Sequence, residues 1–326
     1  MGVVLDTRRA TTKTRFNALA ASLEHAEGLL ADKACVYATG SVARGEVGDF
    51  SDLDLFIVGY SDEKGRKLSR LDEIIVKADL IRATTNHGFP PFSGDGKYLE
   101  HYTVADLCEK LGRSEDDHAN TFTARLLLLL ESRPLLGGPV YERIIDDVIE
   151  PYWRDYAGRQ DSFRPVFLMN DIVRLWKTFC VNYEAYTEQK SPEKRAKRKL
   201  KNYKLKNSRV LTCYSAILFL LQEFAEKKTV SPDAVRAMVK MSPTERLEWL
   251  ANRPEFTMKD VVARLIEEYE SFLNKTNKSE ENLLEVFVDA AKARDFTKNE
   301  WAVGDIVMQL LEGVGPRNPL YRFLVI

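Results

Sequence analysis

The chain has 326 residues, 44 % of them apolar, with 48 basic against 49 acidic side chains and a formal net charge of −1. Such a chain can bury the cores of two ordinary domains, which excludes wholesale disorder as a first reading, and its charge balance makes no overall demand for a polyanionic partner. Four scattered cysteines without a CxxC pair, an N-terminus lacking a signal pattern, and no apolar run near the roughly 18 residues of a membrane span predict a cytoplasmic protein without membrane contact.

Phe16, Leu19, Leu23, Ala26 and Leu30 fall at helical spacing and predict an amphipathic helix over residues 11–30, with Gly28 its weak point. Ala34 to Thr39 is β-prone and stopped by Gly40; Leu53 to Val58 predicts a second strand, closed by Gly59. Helical periodicity returns over 68–81, the Pro and Gly cluster over 87–96 predicts a loop, and Tyr98 to Tyr102 a short third strand. From Thr103 onward nearly every segment has helical period. Leu126 to Leu130 reads as a buried helix, and Ser231-Pro232 and the capping box Ser242-Pro-Thr-Glu245 mark helix starts. Arg133-Pro-Leu-Leu-Gly-Gly-Pro139 reads as a break between helices, and the stretch 157–164 as a joint. The expected fold is an α/β (α+β) domain with a small mixed sheet in residues 1–157, followed by an all-helical domain in 158–326 with substrate bound between the two.

The chemistry concentrates between Gly40 and Asp54. Gly40 ends a strand where the backbone must turn sharply, and Ser41 follows with a hydroxyl and free N–H groups, a combination that can cradle phosphate. Asp52 and Asp54 are two residues apart on the second strand, so both carboxylates share one face while Leu53 and Leu55 point to the core. Paired carboxylates favour a hard cation such as Mg2+ (or Mn2+), which keeps places for substrate phosphates. There is no GxxxxGK[ST] and no GxGxxG after a strand, which argues against P-loop and Rossmann enzymes, and the four histidines lack metal-ligand spacing.

Gly-Ser followed about ten residues on by Asp-x-Asp on an apolar strand resembles the nucleotidyltransferase signature of the DNA polymerase β superfamily, matched at Gly40, Ser41, Asp52 and Asp54. The fuller pattern Gly-Ser-x-Ala-Arg44-Gly-Glu46 with Ser51-Asp-Leu-Asp-Leu55 is most similar to the branch containing PII-protein uridylyltransferases. The resemblance extends over roughly residues 35 to 137. It implies a third carboxylate, for which Glu100 is the choice and Asp79 and Asp95 the competitors, with Asp52, Asp54 and Glu100 as catalytic metal ligands. It further implies transfer of a nucleoside monophosphate from a nucleoside triphosphate to an acceptor hydroxyl on a protein or on RNA such as tRNA; ATP is the favoured donor only as the commonest one. A small-molecule acceptor, a cyclic-nucleotide synthase of antiphage type and an inactive nucleotide-sensing module remain alternatives.

Arg44 and Glu46 read equally as nucleotide contacts or as a local ion pair. The basic run Lys194 to Arg209 reads as a solvated face or as a phosphate-binding one, with Lys201 and Lys204 holding triphosphate or RNA and Tyr203 stacking on a base. Asp171, Arg174 and Lys177 lie along one helix edge, and the resemblance makes that helix a nucleotide-covering candidate with Lys177 as a contact.

Overall fold

The computed structural model describes residues 2–92, 99–184 and 191–324. They fall into two compact units, one of Leu5–Asp155 with Val235–Lys240, the other of Met1–Val4, Tyr156–Ala234 and Met241–Ile326. Along the first unit run α1 (Val3–Ala21, from Leu5 on), α2 (Glu24–Leu30), β1 (Ala34–Thr39), α3 (Gly40–Ala43), β2 (Asp54–Gly59), β3 (Ser61–Asp62), β4 (Gly65–Arg66), α4 (Arg70–Asn86), β5 (His101–Thr103), α5 (Val104–Glu109), α6 (Ser114–His118), α7 (Thr121–Leu130), β6 (Arg133–Leu136) and α8 (Gly138–Ile149).

The main sheet has the order β5-β2-β1-β6. β1 is antiparallel to β2 and β6, and β2 is parallel to β5, so the sheet is mixed, as expected. Side-chain alternation gives it two different faces. Val36, Ala38, Leu55 and Ile57 form an aliphatic core with Phe16 and Leu19 of α1, Leu30 of α2, and Val76 and Leu80 of α4. Each of these side chains larger than alanine contributes about 1.5–3 kcal/mol by leaving water. The opposite face carries aromatic neighbours: Tyr37 stacks on Phe56 at 5.5 Å between ring centroids, with Tyr141 of α8 beyond Tyr37 and Tyr102 beyond Phe56.

Two local differences from the sequence reading have physical causes. The single helix expected over 11–30 is two helices, broken at Ser22 rather than at Gly28. The Ser22 hydroxyl and its N–H both donate to Leu19 O, an alternative to the helical ladder that serine readily takes. Residues 133–136, expected as a break, form β6 against β1. This strand tolerates Pro134 because it is the edge strand of the sheet. Gly137 turns the chain out of it at φ +68, where a Cβ would come 2.7 Å from Ala34 O.

The second unit contains α9 (Val166–Glu184), α10 (Pro192–Lys204), a π-helical turn Leu205–Arg209, α11 (Val210–Lys227), α12 (Pro232–Val239), α13 (Pro243–Ala251), α14 (Lys259–Lys275), α15 (Glu280–Val288) and α16 (Ala290–Val314); the end of α12 belongs to the first unit. Its described residues are helical or irregular, as expected of this half. α11 is buried almost all round from Val210 to Phe224, the pattern of a central core helix. The capping box at Ser242 and Glu245 is formed in both directions. Among the described residues no helix is long and apolar enough to cross a membrane.

Candidate active site

β1 and β2 bring the two halves of the motif together, because Thr39 at the end of β1 pairs with Asp54 at the start of β2. The next residue, Gly40, has φ +66, a left-handed conformation that glycine adopts at no steric cost. A Cβ there would come 3.1 Å from Asp54 Oδ2, so the turn and this carboxylate are in direct contact distance. α3 is a single turn, closed by the Arg44 N–H donating to Gly40 O at 3.1 Å and the Glu46 N–H donating to Ser41 O at 2.8 Å. The Ser41 Oγ is buried, and no hydrogen-bond partner meets it among the described residues. A buried hydroxyl without a partner is costly, and a phosphate oxygen is a group that would satisfy it.

Leu53 and Leu55 both enter the aliphatic core, at 2 % and 1 % exposure. Asp54, next to Leu55 at the start of the strand, therefore alternates away from it and is half-buried, and Asp52 is exposed. β2 begins only at Asp54, so Asp52 stands on the approach to the strand rather than within it.

Beneath the turn lies an ion network that the sequence reading missed in part. Arg44 Nε donates to Glu46 Oε2 at 2.7 Å and Arg44 Nη1 to Glu131 Oε2 at 3.0 Å, with both carboxylates fully buried. Glu131 also accepts the Gly40 N–H at 3.3 Å through its other oxygen. Arg44, a candidate nucleotide contact, thus turns its guanidinium to these two acids, and the Gly40 N–H is likewise committed to Glu131. α1 braces the following loop: Arg8 Nη1 donates to Glu46 O, Arg15 Nη1 to Gly48 O, and the Val47 N–H to Thr12 Oγ1. The one sequence signal for Glu131 is a lone acid ending a run of five leucines.

Glu100 is exposed and directly precedes β5. Its backbone oxygen accepts the Ile57 N–H at 3.4 Å, and its carboxylate bonds the Tyr102 hydroxyl. Burial first, and then the Glu100 charge, push that phenol up to about 12. The register, Ile57 with His101 and Val58 with Tyr102, continues to Phe56 beside Glu100 and sets Glu100 on the aromatic face that Asp54 and Phe56 share. Among the described residues no three His, Cys, Asp or Glu side chains converge as a ready-made metal site. Of the competitors, Asp79 is held by His25 at 2.7 Å on α4, and Asp95 lies outside the described residues. His101 faces the other way, to Glu73 of α4, with Nδ1 3.0 Å from Oε2.

Lys177, Lys201 and Lys204 belong to the second unit, where all three are exposed. Lys177 borders a groove with Asn170, Arg174, Phe323 and Leu324. Lys201 and Lys204 act, with Lys197, to hold the Glu280 carboxyl below its ordinary range, Lys197 contributing most through a 2.8 Å contact. Tyr203 does not offer a stacking face. It is fully buried among Phe272, Phe287 and Phe296, and its hydroxyl donates to Asn299 Oδ1 at 2.6 Å.

Residues 23–85 match the family model of the nucleotidyltransferase domain, a stretch that spans β1, the Gly40 turn, both aspartates and most of α4. The match supports the polymerase β superfamily and, in general terms, nucleotide transfer by this part of the chain, which implies a nucleotide substrate. No curated protein matches the chain.

Proposed function

We propose that the protein is a Mg2+- or Mn2+-dependent nucleotidyltransferase, allied to the PII-uridylyltransferase-like branch, that moves a nucleoside monophosphate from a triphosphate, ATP the favoured donor, to an acceptor hydroxyl on protein or RNA. The observation that carries this reading is the 3.1 Å approach of the Asp54 carboxylate to the Cβ position of the left-handed Gly40. Two further features fit a metal–triphosphate complex: the Ser41 hydroxyl, without a hydrogen-bond partner among the described residues, and a second acid, Asp52, exposed two residues before Asp54. Magnesium is held by one or two protein carboxylates and keeps its other places for phosphate oxygens, so two aspartates are a sufficient protein share. The bound ion would offset charge on the triphosphate and on the departing pyrophosphate.

The chain's own residues have distinct tasks. Asp52 and Asp54 would hold the ion, and Ser41 with the turn's backbone would orient the terminal phosphates. Arg44 and Glu131 keep the turn in place from below. In the reaction the acceptor oxygen bonds to the α-phosphorus, and the bond from that phosphorus to the bridging oxygen breaks with its electron pair leaving on pyrophosphate. The hydroxyl proton passes to a carboxylate, for which we assign Glu100.

Incubation of the full chain with Mg2+, each labelled nucleoside triphosphate and a mixture of cellular protein and RNA tests the reading. Pyrophosphate release with label on a macromolecule is expected, falling at least about a hundredfold in Asp54→Asn, as loss of a charge-stabilising group does. Turnover unchanged in that variant, or triphosphate binding without turnover by the wild type, would contradict it.

A further inference from the structure

The segment 194–209 carries nine basic residues and no acidic one in a chain of net charge −1. On α10 and the π-helical turn, Ala196, Leu200, Tyr203 and Asn207 are buried, so the basic side chains occupy the rest of the circumference. Arg195, Lys199 and Lys206 follow one edge of that surface by helical spacing. The edge ends at α16, where Lys206 Nζ lies 5.3 Å from the centroid of the Trp301 ring and 3.0 Å from Glu300 Oε1.

Trp301 is 62 % exposed, unusual for the largest apolar side chain, and it is not covered by its own unit. Arg294 and Lys298 precede it on the same stripe of α16, and the three line one open depression together with Asp305. The other nearby acids already have cations: Glu300 holds Lys206, Glu280 holds Lys197, and Asp295 holds Lys275. An aromatic plane bordered by cations binds single-stranded nucleic acid, since every base has a face to stack and every linkage a phosphate to neutralise. Duplex would use the cations and leave the indole idle, whereas RNA is bound mainly through unpaired, splayed bases.

We propose that this face of the second unit, made by Trp301 with Arg195, Lys199, Lys206, Arg294 and Lys298, binds single-stranded RNA, with one base stacked on the indole. The inference stands apart from the transfer reaction, and RNA bound here is a candidate acceptor only if that reaction also holds.

Fluorescence anisotropy of a labelled, mixed-sequence RNA about twelve nucleotides long, titrated with the full chain at low and at physiological salt, tests it. Trp301→Ala is expected to weaken binding about tenfold and Trp301→Phe to retain most of it, as stacking energies on aromatic side chains imply. The pair Lys199→Glu with Lys298→Glu is expected to weaken binding further and to flatten its salt dependence. Asp54→Asn should bind as the wild type does, which separates this outcome from failure of catalysis. Circular dichroism confirms that each variant is folded. No binding at low salt, equal affinity in folded Trp301→Ala, or tighter binding to duplex or single-stranded DNA of the same sequence would overturn the proposal.

Discussion

One guanidinium, that of Arg44, faces the carboxylates of Glu46 and Glu131, and all three side chains are buried or nearly so. Glu131 is the residue that ties this charge to the turn, because its second oxygen takes the Gly40 N–H. Removing it would orphan two buried donors at once, each at about 1–3 kcal/mol. Glu131→Ala is therefore expected to lose on the order of 2–4 kcal/mol of stability, and Glu131→Gln, which keeps one carbonyl acceptor, a smaller amount. Urea denaturation of the two variants checks this. Midpoints equal to the wild type would mean that the turn does not depend on the network. The sequence alone shows Gly40, Ser41 and the aspartates because each is defined by its immediate neighbours. It does not show Glu131, since 91 residues separate that acid from Gly40 and only strand pairing brings them together.

At the scale of elements, β5 is anchored to α4 through His101 and Glu73. Burial lowers His101 below its ordinary 6.5, outweighing the opposite pull of Glu73, and Arg66 and Lys77 press in the same direction as burial. For Glu73, burial would raise the carboxyl, but Lys77 and His101 hold it below 4.5. A histidine with a depressed value in the folded chain stabilises fully above its unfolded value and loses that contribution as pH falls toward the folded one. Thermal stability is thus expected to decline as pH falls below about 6.5, ahead of the carboxylate titrations, and the decline in that window to flatten in His101→Asn. Melting curves across pH measure it; an unchanged slope in the variant would refute the assignment. The same elements show what periodicity reveals. Leu53 and Leu55 announce the core face of β2, and Phe16, Leu19 and Leu30 that of the opening helices. β6 stayed hidden because proline at 134 argues against a strand unless its edge position is known, and the helix break at Ser22 arises from a hydroxyl that competes with the backbone.

Over the whole molecule, the near-zero net charge conceals a strongly uneven distribution, with nine basic residues in one sixteen-residue segment. The overall charge balance makes no demand for a polyanionic partner, while the helical arrangement of that segment and an exposed tryptophan point toward one. The domain matched by family likeness ends at residue 85, so the acceptor is not named by that likeness. In the proposed function the Gly40 turn and the aspartates would form one site for a metal–triphosphate complex. Titration calorimetry with non-hydrolysable nucleoside triphosphate analogues, in the presence and absence of Mg2+, tests it most directly. The expected result is Mg2+-dependent binding to the wild type that is lost in both Asp54→Asn and Gly40→Ala while both variants remain folded. Equal binding by both variants, or no binding of any such analogue to the wild type, would contradict it.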